Sequence, residues 1–183
     1  MEANSNLDSN LLTTLESLKG KCVNFFAGLN LNIYQKDNIV NYQFHSGIYL
    51  STYILPQDTK SFFLNGRMIE DENGRDRFYL ETTTKSIETE SLADYSVLYP
   101  RFSHKKQTLS HRIIDVIPYF LNSKTVDDVF GVHFKCEHDK DFMIRFQFPA
   151  DGLHLSIGKK EITSFFESDS FGKKLKPYSR DNL

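Results

Sequence analysis

From Gly131 to Gly158 large apolar side chains alternate with polar ones in successive short runs. Phe142, Ile144, Phe146 and Phe148 are interleaved with Met143, Arg145 and Gln147. A strand points successive side chains to opposite faces, so one face of this run is apolar and requires burial. Pro149-Ala150-Asp151-Gly152 supplies turn chemistry, and Leu153, Leu155 and Ile157 then alternate with His154 and Ser156, which predicts a hairpin. Upstream, Val132, Phe134, Cys136 and His138 alternate with His133, Lys135 and Glu137 ahead of a polar turn at Asp139 to Asp141. The stretch predicts a meander with one apolar face and one polar face carrying His133, Glu137, Arg145 and His154.

The same period of two recurs upstream. Leu31 to Gln35 and Val40 to Phe44 flank Lys36-Asp37-Asn38, predicting a second hairpin, and Ile48 to Leu55 is amphipathic on both faces, as a central strand is. Phe62 to Ile69 and Phe78 to Thr84 flank Asp71-Glu72-Asn73-Gly74, where Asn-Gly readily supplies the positive φ values of a tight hairpin. Tyr95, Val97 and Tyr99 predict a strand that Pro100 ends, and Glu161 to Phe166 a last one. Helical spacing appears in few places. Leu7, Leu11, Leu15 and Leu18 follow Asp8, Ser9 and Asn10, which can cap the free amides of a helix start, and Gly20 ends the run. Leu109, Ile113, Val116, Ile117 and Phe120 fit a helical face interrupted by Pro118. Ser123 to Gly131 reads as a further helical turn or two, making a helical insertion near 109–130. Val23, Phe25, Phe26 and Leu29 form an apolar patch of no assignable period.

About nine strands joined by short turns predict a mainly β domain. The expected architecture is an antiparallel meander that closes into a calycin-like barrel plugged by the N-terminal helix, or a strongly curved sheet; the alternative is an α+β sheet covered by helices. The Gly-x-Trp start of lipocalin barrels is missing, because the chain has no tryptophan. No repeat of 20–50 residues points to a solenoid or propeller.

At 183 residues the chain suits one domain with a real core, expected over 1–171. Residues 172–183, rich in lysine and arginine, read as a basic flexible tail. The formal charge of −2 carries no global footprint of nucleic-acid or acidic-membrane binding. Cys22 and Cys136 are too far apart in sequence for spacing to imply a disulfide. The polar start MEANSNLDSN does not read as a secretory leader, and no apolar run approaches the ~18 residues of a membrane span. The expectation is a protein of the cytoplasm, of the producing cell or of a host.

Chemical signatures are sparse: nucleotide loops, zinc-protease motifs and the nucleophile elbow are absent from the sequence, and no motif names a cofactor. On a strand Cys136 and His138 face one way and His133 and Glu137 the other, so no metal site is expected from this cluster. Arg145 could hold a carboxylate or phosphate in a bidentate way, and His133 or His154 could move a proton near neutral pH. Glu137 on the same face and Tyr79 from the middle hairpin complete the candidate ligand-binding set. The plain alternative is a cross-strand ion pair of Arg145 with Glu137 or His154 on a solvated face. Tyr99, Arg101, Phe102, His104, Lys105, Lys106 and Arg112 mix cations with aromatic rings, which suits a partner surface; nucleic acid is disfavoured by the near-neutral charge. The leading functional expectation is a non-enzymatic binding or adaptor protein that presents a sheet face or this basic loop to a protein partner. A barrel for a small apolar or anionic ligand stands second, supported by 16 Phe and 9 Tyr, and an enzyme without a familiar motif third.

Overall fold

The computed structural model describes residues 5–45, 47–54, 59–70, 76–84, 94–99, 103–104, 107–108, 111–121, 129–146 and 152–178. Helix α1 (Ser5–Glu16) leads into strands β1 (Cys22–Gly28), β2 (Leu31–Lys36), β3 (Ile39–Phe44) and β4 (Ile48–Tyr53). β5 (Thr59–Glu70) and β6 (Asp76–Thr84) follow, then β7 (Ser96–Leu98), β8 (Ser103–His104), β9 (Gln107–Thr108), β10 (His111–Phe120) and β11 (Val129–Cys136). After β12 (Phe142–Phe146) and β13 (Leu153–Ile157) come helix α2 (Lys159–Ser168) and β14 (Lys176–Pro177).

Twelve strands form one antiparallel sheet in the order β2-β3-β13-β12-β11-β10-β1-β4-β5-β6, with β14 added to β10 and β7 to β1. The sheet is not closed: among the described residues no pairing joins β2 to β6. The strongly curved sheet is the form observed, and the closed calycin-like barrel is not. Its two halves meet through a narrow junction, Cys22 opposite Arg112 and Val23 opposite His111, and their apolar faces then fold against each other. Phe26 on β1 meets Phe142 on β12 edge to face, with centroids 5.1 Å apart, and Gly66 on β5 lies under Phe146 and Leu153, where a Cβ would come within 2.7 Å of the Phe146 ring. That close approach needs a residue without a side chain. Phe142 also stacks on Phe134 at 4.5 Å, and both rings are fully buried. Each such ring contributes ~1.5–3 kcal/mol relative to exposure.

The N-terminal helix forms where its leucine spacing places it, and Leu15 and Leu18 are buried in the core between β6 and β10. Gly20 takes φ +82° after the helix, and its N–H donates to Ile113 O at 2.7 Å. The β2–β3 hairpin turns through Asp37 and Asn38 at φ +52° and +62°, the pair of positive φ values that matches the twist of the strands. β4 is central, between β1 and β5. β5 and β6 pair from Phe62–Thr84 to Glu70–Asp76; the Asp71 to Gly74 turn lies outside the described residues.

Three segments differ in type from the expectation: 111–120, 129–130 and 161–166. Residues 111–120 are a strand, not a helix. The ladder slips between Ile113 and Asp115, and this bulge turns an alternation of buried His111 and Ile113 into one of buried Val116, Pro118 and Phe120. One extra residue shifts the phase and imitates helical spacing. Pro118 lacks an N–H but its carbonyl accepts from Tyr178 N at 2.8 Å. Residues 129–130 are also strand, and 122–128 lie outside the described residues. Glu161 to Phe166 is helix rather than strand, because Ile162, Phe165 and Phe166 share one helical face. The patch without a period is β1, interrupted by a register shift between Val23 and Phe25. Beyond residue 171 the chain stays docked as far as Tyr178: Leu175 is buried, Lys176 and Pro177 pair with β10, and the Tyr178 ring packs 5.7 Å from Phe120.

Candidate functional site

The face of the sheet opposite the core carries the candidate chemistry. Register places Asn32 beside Gln43, Gln43 beside His154, His154 beside Arg145, and Arg145 beside Gly131, so one row runs across β2, β3, β13, β12 and β11. The next row on this face holds Tyr34, Asn41, Ser156, Met143 and His133. Sequence parity thus puts His133, Arg145 and His154 on a common face. The face is not solvated, however, because α2 lies over it with Ile162 and Phe165 buried.

Arg145 is only 8% exposed. Its guanidinium carbon sits 4.0 Å from the centroid of the Phe165 ring, a cation–π geometry. Gly131 makes room beside it, since a Cβ there would lie 2.9 Å from Arg145 Cβ. Nε is sealed from solvent with no acceptor. Burial pulls the Arg145 pKa down to about 10 and the carboxylate of Asp169 counters this, so the group stays charged at neutral pH. Asp169 Oδ1 itself accepts from the amides of Phe171 and Gly172, at 2.8 and 3.3 Å. Both ring nitrogens of His154 are buried without partners, beneath Tyr34, which stacks at 6.4 Å. Burial first, and then the charge of Arg145, lowers its pKa to about 3, so the ring is neutral at physiological pH. Gln43 is 2% exposed, with Oε1 unpartnered. One row away the polar groups are paired: Ser156 donates to Asn41 Oδ1 at 2.7 Å.

Asp141 organises a second cluster. Its Oδ2 accepts from His133 Nε2 at 3.1 Å and its Oδ1 from the Cys136 amide at 2.9 Å. Burial lowers the His133 pKa, with Asp141 opposing. The pair opens on a groove of about 490 Å³ lined also by Lys135, Tyr119 and Lys159. This arrangement orients an imidazole as a proton acceptor. The neighbouring thiol is a poor nucleophile: Cys136 Sγ donates to Phe134 O at 3.8 Å, and burial pushes its pKa up.

Glu137 lies apart from Arg145, beyond the end of β11, 3.9 Å from Arg112 Nη1. Arg112 is exposed, and its Nε donates to Gly20 O at 3.2 Å. Tyr79 stands on β6 opposite Arg67, with its side chain outside the described residues, as are Arg101, Lys105 and Lys106. Among the described residues no three His, Cys, Asp or Glu side chains form a group able to hold a metal ion, and no helix is long and apolar enough to cross a membrane. Gln43, Asp141 and Tyr34 were not expected from the sequence as site residues. The parity of Gln43 with Asn41 was a readable signal, whereas the pairing of Asp141 back to His133 depends on how the turn closes. Comparison with known protein families, with curated proteins and with solved structures finds no match.

Proposed function

We propose that this protein is a non-enzymatic binding module that engages a partner polypeptide by strand addition at β2. The observation that carries this reading is the state of that edge. β2 ends the sheet path, and all of it after Leu31 is exposed, with Ile33 at 61% and Tyr34 at 50%. An edge strand turns unpaired amides and carbonyls outward, and proteins usually blunt it with proline, a bulge or several charges. β2 has no proline, an unbroken six-residue register with β3, and one charge, Lys36, at its end. The occupant that fits is an extended segment of a partner with apolar residues at alternate positions, one set meeting Ile33 on the concave side and the other meeting Tyr34. Main-chain hydrogen bonds then give affinity and the two protruding side chains give selectivity. The interior supports placing recognition outside, because Leu15, Leu18, Phe26, Phe134 and Phe142 fill it.

The test uses Ile33→Lys and Tyr34→Lys, which alter exposed positions and leave the core intact. Cross-linking in native cells followed by hydrogen exchange on the purified complex should show amides 31–36 protected in the complex, and both variants should lose the partner. A partner held equally by the variants, or protection confined to other strands, refutes the reading.

A further inference from the structure

The row of unpartnered groups under α2 has a donor and acceptor pattern of its own, distinct from the main-chain groups of the β2 edge, with Tyr34 bordering both. Arg145 presents guanidinium N–H groups with Nε sealed and unanswered, His154 presents one N–H and one lone pair, and Gln43 presents the lone pairs of Oε1. Buried polar groups in native proteins are paired with few exceptions, and each exception calls for an explanation. Ser51 Oγ and Thr52 Oγ1 on β4 stand singly among such exceptions, whereas Gln43, His154 and Arg145 are consecutive neighbours on β3, β13 and β12, and Ser156 and Asn41 in the adjoining row satisfy each other. Asp169 acts on Arg145 only through space, and its Oδ1 is committed to the Phe171 and Gly172 amides.

We propose that Arg145, His154 and Gln43 form a binding site for a small oxyanion that also carries a hydroxyl group, a hydroxycarboxylate or a singly protonated phosphate. The negative oxygens take the guanidinium fork, in the charge-assisted geometry that arginine offers to planar or tetrahedral oxyanions. The hydroxyl donates to Gln43 Oε1 or to the free lone pair of His154, and the His154 N–H completes the ligand's acceptors. Neither an anion without a donor nor a neutral alcohol satisfies all three residues. Phe165 and Tyr34, stacked on Arg145 and His154 respectively, wall the site with aromatic faces.

The experiment titrates the full chain with glycolate and, separately, with inorganic phosphate, using chloride at matched ionic strength as control. The ¹⁵N resonance of Arg145 Nε and those of the His154 ring are followed together with the Tm. A saturable shift of both side chains is expected with at least one probe, together with a Tm rise of about 5–10 °C at a hundredfold excess over Kd. Arg145→Met, which keeps the bulk against Phe165 and removes the fork, should lose both responses, whereas Ile33→Lys should keep them. A response to glycolate alone assigns the hydroxycarboxylate, and one to phosphate alone assigns the phosphate. Silence of the Arg145 and His154 resonances toward both probes overturns the proposal, and so does a Tm rise of equal size in Arg145→Met, which marks an adventitious ion only. Should Arg145→Met fail to fold, the wild-type resonances decide.

Discussion

Acid should unfold this domain through His154. Its ring is neutral in the folded state, with a pKa near 3 against 6.5 for an unperturbed imidazole. Burial is the main cause, and Arg145, beside it in the ladder, adds repulsion. In the unfolded chain the ring takes up a proton below pH 6.5, whereas the folded ring does not until about pH 3, so the unfolded state binds more protons throughout that window and stability falls as pH falls through it. Between pH 6.5 and 4.5 the difference builds up over two pH units from a half-protonated unfolded ring, which corresponds to about 2 kcal/mol lost at this single site. Against a total stability of ~5–15 kcal/mol for a domain, this is a large fraction. His111, 2% exposed and held near pKa 4 by burial and by Lys140, acts in the same direction. The assay is urea unfolding at pH 7 and pH 4.5, followed by tyrosine fluorescence, for the wild type and for His154→Gln, which cannot titrate. The variant should lose about 2–3 kcal/mol less than the wild type over this interval. Equal losses in the two proteins, or a His154 imidazole that titrates near 6.5 by NMR, would refute the reasoning.

Two further outcomes follow from packing. Phe142→Ala removes a fully buried ring that touches both Phe26 and Phe134, and chemical denaturation should show a loss of ~3–5 kcal/mol; a loss below 1 kcal/mol would mean the two halves of the sheet are not packed through this ring. Gly131→Ala places a Cβ 2.9 Å from Arg145 Cβ and 3.2 Å from the Ile144 carbonyl, atoms that cannot swing away, so it should cost about 1–3 kcal/mol and shift the Arg145 Nε resonance. A neutral variant with an unmoved resonance would show that β11 and β12 are not apposed at this position.

The hairpins were legible because their information is local. Alternation fixes which side chains share a face, and residues such as Asp37 and Asn38 accept the positive φ that a tight turn needs. The segments misread are those where one extra or missing residue changes the period. In β10 the slip at Ile113 to Asp115 converts a two-residue repeat into a three-residue step, and with Pro118 in place the window resembles a broken helix. In 161–166 the window is too short to separate the two periods, and only Phe165 and Phe166 together with Ile162 reveal the helix once the whole of Lys159–Ser168 is considered.

For the site, parity alone carried His133, Arg145 and His154 to one face, and no local pattern could say what covers it. An alternating strand with arginine and histidine on one side reads as half-solvated, because charged groups are seldom fully buried. The cover comes from α2, which follows β13 directly and returns across β12 to set Phe165 on the guanidinium. Covering that face turns an ordinary polar row into a costly one. Ser156 and Asn41 meet the cost by bonding to each other, whereas Arg145, His154 and Gln43 have no mutual hydrogen bond, and Arg145 Nε, both His154 ring nitrogens and Gln43 Oε1 lack a partner. The difference between these neighbouring rows, under one helix and on the same strands, is what the proposed oxyanion site rests on.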